Sequence, residues 1–190
     1  MIERVKEALV LTYDVLSQPR TALAVITKEQ RIEEGLLIWF LTILLSVISI
    51  FAQWEQSTVL TFFGVYIGAG LFFLIRLGCL HGTARLLGGK GAVTGIAAGL
   101  CFADIPMNLA TLAESFVFVV PEEIIHVVTI VAMVWSFVLT LMVVMANYRL
   151  GIVRSVLAII LPVVFIAGCI VLFFLYIAMS IVSLVPGLGL

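Results

Sequence analysis

The sequence predicts an all-α integral membrane protein, a bundle of five transmembrane helices preceded by short amphipathic helices at the N-terminus. Hydrophobic residues make up 64% of the 190 residues and charged residues 11%, whereas soluble domains are about half apolar and about a quarter charged. Five apolar segments approach or exceed the roughly 20 residues that span a bilayer, and they cover 35–52, 58–80, 93–113, 124–146 and 153–185. A net charge of −1 provides no basic face for a nucleic-acid partner.

The distribution of basic residues predicts the orientation of this bundle. The ten Lys and Arg residues lie before the first span, around the connection of the second and third spans, or around the connection of the fourth and fifth, and the remaining connections carry only acidic charges. Because Lys and Arg in short loops mark the cytoplasmic face, we expect a cytoplasmic N-terminus and an external C-terminus. Arg85 and Lys90 then form a cytoplasmic basic turn.

Residues 1–34 predict two short cytoplasmic or interfacial helices ahead of a membrane domain at 35–190. Apolar side chains recur near one face of the first helix, at Ile2, Val5, Leu9, Tyr13 and Leu16. Pro19 suits the first turn of a second helix, on which Leu23 and Ile26 form a modest apolar side. We expect both helices to lie in the membrane interface, with packing against the cytoplasmic mouth of the bundle as the alternative.

Small residues recur at four-residue spacing in the second and third spans. The second span carries Gly64 and Gly68, and the third carries Gly91, Gly95, Gly99 and Ala103. Rows of this kind let two helices approach closely in lipid. Each row is therefore expected to serve either packing within the bundle or a homo-oligomer interface.

The third span also carries a candidate polar site. Asp104, Asn108 and Thr111 form a polar row on another face, with Asp104 near mid-bilayer by helical rise. Pro106 cannot donate a helical hydrogen bond and is expected to kink the span. An ionisable residue at this depth is a functional candidate. It is either a proton or cation site, or a structural group that is protonated or paired with Asn108, Thr111 or a basic side chain of another span. Arg76 of the second span is the obvious basic candidate, although it is also shallow enough to snorkel to the interface.

The fifth segment, 153–185, is longer than one span needs and could hold two. No residue polar enough for a turn lies between Arg154 and Ser180, and a turn buried in lipid is disfavoured. Pro162 and Gly168 favour a kink instead. One long kinked helix is therefore predicted.

The sequence lacks a recognisable catalytic or metal-binding pattern. Its three cysteines lie in apolar runs without a Cys-x-x-Cys pair, and the topology places His81 and His126 at opposite ends of the bundle. An aspartic mechanism requires two carboxylates that share a site, and only Asp104 is deep. A serine hydrolase needs a base beside its nucleophile. We therefore expect no metal, no cofactor and no enzymatic activity.

Several motifs follow one another in a familiar order: Pro19-Arg20, LGGKG at 87–91, FADIP at 102–106, and Trp135. With them the chain resembles the YIP family of Ypt/Rab-interacting membrane proteins, most closely its small prokaryotic members, over about residues 14–171. The resemblance implies five spans, a cytoplasmic N-terminus and a multi-pass protein of the prokaryotic inner or plasma membrane. It also implies relatives that act in vesicle trafficking, Rab-type GTPase binding, membrane shaping and mutual association. The N-terminal segment is shorter than in eukaryotic relatives, so a small GTPase partner is not expected.

These observations favour a non-enzymatic membrane scaffold or organising factor that contacts lipid and associates with itself or with other membrane proteins. The alternative is a small transporter or channel that uses Asp104, with Asn108 and Arg76. Its motivation is a broken helix with polar groups at mid-bilayer, which transporters share.

Overall fold

The computed structural model describes residues 2–53, 59–114 and 120–184. These residues form eight helices and no strand, as expected for the all-α class. The helices are α1 (Ile2–Ser17), α2 (Pro19–Glu29), α3 (Ile32–Gln53), α4 (Val59–Leu86), α5 (Val93–Ala103), α6 (Ile105–Glu114), α7 (Glu122–Tyr148) and α8 (Ile152–Leu184).

Within the described residues, four helical stretches are long and apolar enough to cross a membrane. They are Phe62–Leu86, Val93–Glu114, Glu122–Tyr148 and Ile152–Ile177, and they agree with the second to fifth predicted spans. The first predicted span, 35–52, lies in α3, and its crossing of a membrane stays a prediction, as does the orientation of the termini. Residues 58 and 185, at the ends of two predicted spans, lie outside the described residues.

The two N-terminal helices differ in their surroundings. On α1, Ala8 and Val15 are buried, whereas Leu9 and Tyr13 of the predicted apolar face are 54% and 70% exposed. On α2, Leu23 is fully buried, because this helix packs between α5 and α7. α1 thus presents an exposed apolar surface of the kind that an interfacial helix needs, and one face of α2 packs into the bundle. The interfacial placement of both helices stays a prediction.

Arg31 connects the N-terminal helices at their polar ends. Its guanidinium contacts the carboxylates of Glu7 on α1, Glu29 on α2 and Glu34 on α3. The hydrogen bonds that Arg31 donates to the Glu29 and Glu7 carboxylates raise the pKa of Arg31 above its ordinary value. Arg4 forms a further ion pair with Glu33. Such pairs contribute little free energy singly, and together they join α1 to the start of α3.

The core is centred on α5, in which all residues from Gly95 to Ala103 are buried. The predicted row of small residues explains the close packing there. A Cβ atom added to Gly99 would lie 2.5 Å from Val143 Cγ1 of α7, and one added to Gly95 would lie 2.6 Å from the Thr27 carbonyl oxygen of α2. This row therefore packs within the chain, against α2 and α7. By contrast, Cβ atoms added to Gly64 and Gly68 of α4 would meet nothing within 4 Å.

The last helix is continuous from Ile152 to Leu184 and contains Pro162. A proline cannot donate the helical hydrogen bond to the carbonyl four residues earlier, which here belongs to Ala158. The Thr83 hydroxyl oxygen of α4 lies 2.8 Å from that carbonyl oxygen and 2.8 Å from the Cys79 carbonyl oxygen of its own helix, so both compete for its one proton. The neighbouring helix thus brings a hydroxyl within hydrogen-bond distance of the carbonyl that the proline leaves without a helical donor.

Candidate functional site

The third span is interrupted at Asp104, which lies between α5 and α6. The break is one residue wide, because the Asp104 amide donates to the Leu100 carbonyl at 3.1 Å and the Asp104 carbonyl accepts from the Asn108 amide at 3.0 Å. The kink at Pro106 stays a prediction. Pro106 occupies the first turn of α6, where a proline is tolerated. At the end of α5, the carbonyl of Ala103 accepts a hydrogen bond of 2.8 Å from the Ser136 hydroxyl of α7. A hydroxyl of the adjacent helix thus hydrogen-bonds the backbone next to the break.

The carboxylate of Asp104 is paired with the guanidinium of Arg76, which α4 contributes. Arg76 Nη1 lies 2.5 Å from Asp104 Oδ1, and Arg76 Nη2 donates to Thr140 Oγ1 of α7 at 2.9 Å. The two charged side chains are only 25% and 19% exposed. Among the partners that the sequence left open for Asp104, the structure places Arg76 in contact with it. This cluster of Arg76, Asp104 and Thr140 joins three helices and balances its own charge.

The rest of the predicted polar row makes other contacts. Asn108 Nδ2 donates to Thr42 Oγ1 of α3 at 2.9 Å, so Asn108 connects α6 to α3. Thr111 donates to the Met107 carbonyl of its own helix at 3.2 Å, and it does not line the cavity beside Asp104.

A cavity of about 550 Å³ opens beside the cluster, between α3, α4, the α5–α6 break, α7 and α8. Its polar lining consists of Arg76, Asp104, Asn108, Ser136 and Thr140. The remaining lining is apolar and aromatic. This volume lies within the range of small-molecule sites, which combine apolar walls with a few polar groups. No group of three or more His, Cys, Asp or Glu side chains that could hold a metal occurs in the described part of the chain.

Three residues of this region escaped the sequence analysis: Thr42, Ser136 and Thr140. Ser136 and Thr140 are four positions apart, which puts them on one helix face, and that spacing was the available signal. The signal is weak because a hydroxyl in a helix often bonds to its own backbone. Thr42 does both, since it donates to the Ile38 carbonyl and accepts from Asn108.

The predicted basic turn lies where α4 ends and α5 begins. Both Arg85 and Lys90 are exposed there. Lys90 lines a second, polar cavity, whereas Arg85 does not. Gly91 faces the same region, because a Cβ atom at this position would collide with Asn147 of α7.

Comparison with known proteins gives one match. The family model of the Yip1 domain matches residues 13–185. No curated protein and no solved structure matches the chain. The matched range contains the whole polar cluster, its cavity and the basic turn.

Proposed function

The chain belongs to the Yip1 domain family, and we propose that it acts as a non-enzymatic membrane scaffold that organises copies of itself in the bilayer. The observation that carries this proposal is a row of exposed residues along α4. This α4 seam consists of Gly64, Gly68, Leu71, Ile75, Gly78 and Gly82. Cβ atoms added to its four glycines would meet nothing within 4 Å.

The spacing of the α4 seam supports a second copy as its occupant. Its members are separated by four, three, four, three and four residues, which is the pattern of two helices that cross in a left-handed supercoil. Glycines at such positions permit close backbone approach in lipid. In a twofold pair each surface meets its own copy, so Leu71 and Ile75 of the two copies meet at the centre of the seam and the glycines meet on either side of them.

The polar cluster supports a structural role in the same scaffold. Its carboxylate is neutralised by Arg76, and Asp104 is the one carboxylate that lines the described cavity. A two-carboxylate mechanism therefore has no second group there. The ion pair instead connects α4, the carrier of the seam, to the α5–α6 break.

The test is self-association in lipid nanodiscs or in proteoliposomes, measured by energy transfer between labelled copies. We expect Gly68→Leu and Gly78→Leu to weaken association at least tenfold, because a side chain at the seam holds the two helices apart. Gly168→Leu is the matched control, since this glycine of α8 is also exposed and would also meet nothing within 4 Å. The proposal would be refuted if the parent protein were monomeric, or if Gly168→Leu weakened self-association as much as the seam variants do.

A small transporter or channel is the second candidate function, because the cavity lies beside a broken span and is lined by Asp104 and Arg76. Here proton or cation flux into proteoliposomes is the measurement. A flux that Asp104→Asn abolishes supports transport. The absence of flux under both proton and cation gradients removes this candidate and leaves the scaffold proposal untouched.

A further inference from the structure

We propose that the second, polar cavity binds the phosphate of an anionic phospholipid headgroup. This cavity, the basic pocket, has a volume of about 570 Å³ and lies where α2, α4 and α7 end and α5 begins. Its lining comprises Thr27, Lys28, Gln30, Gly88, Lys90, Gly91, Ala92, Ala146, Asn147, Tyr148 and Arg149. Three of these residues are cations and none is an acid.

The three cations come from three different connections of the bundle. Lys28 precedes the α2–α3 turn, Lys90 lies in the α4–α5 turn, and Arg149 lies in the α7–α8 turn. All three are exposed, and none forms an ion pair with a carboxylate of the described residues. Convergence of three uncompensated cations on one cavity favours a multivalent anion such as a phosphate.

The backbone around the basic pocket is held in place by its own contacts. Asn147 Nδ2 donates to the Ala92 carbonyl at 2.9 Å, and the Lys90 amide donates to the Tyr148 carbonyl at 3.4 Å. These bonds join the start of α5 to the end of α7. The pocket is therefore built from fixed turns.

Left-handed backbone conformations give the pocket its shape. Gln30, Gly88 and Arg149 have φ angles of 54°, 90° and 54°, and all three line the cavity. Each ends a helix at this point. At Gly88 the end has two hydrogen bonds, from the Gly88 amide to the Arg85 carbonyl and from the Gly89 amide to the Ala84 carbonyl. This is the bonding of a Schellman cap.

The helix ends at the basic pocket also contribute partial charges to it. Each helix C-terminus carries roughly half a negative charge, so cations here partly serve to neutralise the dipoles. The three full positive charges of the side chains exceed the three half negative charges of the helix C-termini, so the net charge at the pocket is positive. An anion therefore still gains from entering the basic pocket.

The position of the pocket favours a lipid over a soluble phosphate. It lies at the ends of three candidate spans, which is the level of the headgroups. Large apolar side chains are exposed a few residues from it on three helices, at Leu86, Val93 and Ile152. Acyl chains can cover these side chains while the headgroup contacts the cations. Basic pockets between membrane helices are known sites for anionic headgroups.

The test uses the full-length protein in mild detergent, with bound lipid counted by native mass spectrometry. We expect phosphatidylglycerol to be retained in preference to phosphatidylcholine. Lys28→Gln and Lys90→Gln should each lower retention about fivefold, the factor that corresponds to one cation near a lipid surface. Both side chains are exposed and lack ion pairs, so the variants should fold, and circular dichroism checks this.

Arg154→Gln is the matched control, because Arg154 is exposed at the same end of the bundle but does not line the pocket. Unchanged retention in this variant supports a defined site. Equal losses in Arg154→Gln and Lys90→Gln would mean diffuse surface attraction and would overturn the proposal. Displacement of the lipid by an equal concentration of inorganic phosphate would overturn the lipid as the source of the phosphate. Neither result bears on self-association through the α4 seam.

Discussion

The ion pair of Arg76 and Asp104 permits a quantitative prediction. Removal of one partner from a buried pair costs about 3–5 kcal/mol, because it leaves an uncompensated charge. Both side chains retain some exposure, 25% and 19%, and water in the cavity screens the remaining charge. We therefore expect Asp104→Asn and Arg76→Gln each to lower the free energy of unfolding by about 2–3 kcal/mol, less than the full buried cost.

The double variant Arg76→Gln/Asp104→Asn distinguishes the pair from its individual side chains. It contains no unpaired charge, so its loss should be smaller than the sum of the single losses, with a coupling energy of about 1–2 kcal/mol. Thr140→Val removes only the second hydrogen bond of Arg76, at a cost of about 1 kcal/mol. The measurement is reversible unfolding in nanodiscs or mild detergent. If the loss in the double variant equals the sum of the two single losses to within about 0.5 kcal/mol, the two side chains are not coupled and the ion pair does not stabilise the fold.

Three further predictions concern backbone and packing, and thermal unfolding in detergent checks each. Thr83→Val leaves the Ala158 carbonyl without its donor and should cost about 1–2 kcal/mol, whereas Thr83→Ser should restore most of the stability; equal losses would contradict this role. Gly99→Ala places a methyl group against Val143 and should lower the stability by about 1–3 kcal/mol. Adding Val143→Ala to the same chain should recover part of this loss. If it recovers none, the contact with Val143 is not the cause of the loss. Gly88→Ala should cost about 1 kcal/mol because of the positive φ, and Gly88→Asn should cost less; the reverse order would argue against a left-handed cap.

The spans were predictable because the bilayer imposes a simple rule of length and polarity. The fourth predicted span, 124–146, corresponds to α7 at Glu122–Tyr148. The small-residue row was also readable as a close-packing surface. The residues against which the row packs could not be predicted, because Gly99 packs against Val143 and Thr27, which are 44 and 72 positions away in sequence. Which helices become neighbours depends on the tertiary arrangement, and the row itself does not encode it.

The candidate site was predictable in part for a similar reason. Asp104 was identified by the cost of an ionisable group in lipid, and Arg76 was the candidate cation on the adjacent span. Thr111 was placed in the same row by helical arithmetic, which gives the face of a side chain but not the partner of its hydroxyl. The interruption at Asp104 divides the span into α5 and α6, and Thr111 bonds within α6. Thr140 was missed because a threonine in a span carries no charge to mark it.

The two prolines of the spans, Pro106 after the α5–α6 break and Pro162 within α8, bear on the choice between scaffold and transporter. At Pro162 the carbonyl freed on α8 is bonded by Thr83 of α4, and at the α5–α6 break the Ala103 carbonyl is bonded by Ser136 of α7. A hinge that opens must give up such bonds, and an unsatisfied carbonyl in lipid is costly. The ion pair of Asp104 with Arg76 also connects this break to α4. The backbone near both prolines is thus hydrogen-bonded to a neighbouring helix, which suits a fixed framework better than the alternating exposure that transport requires.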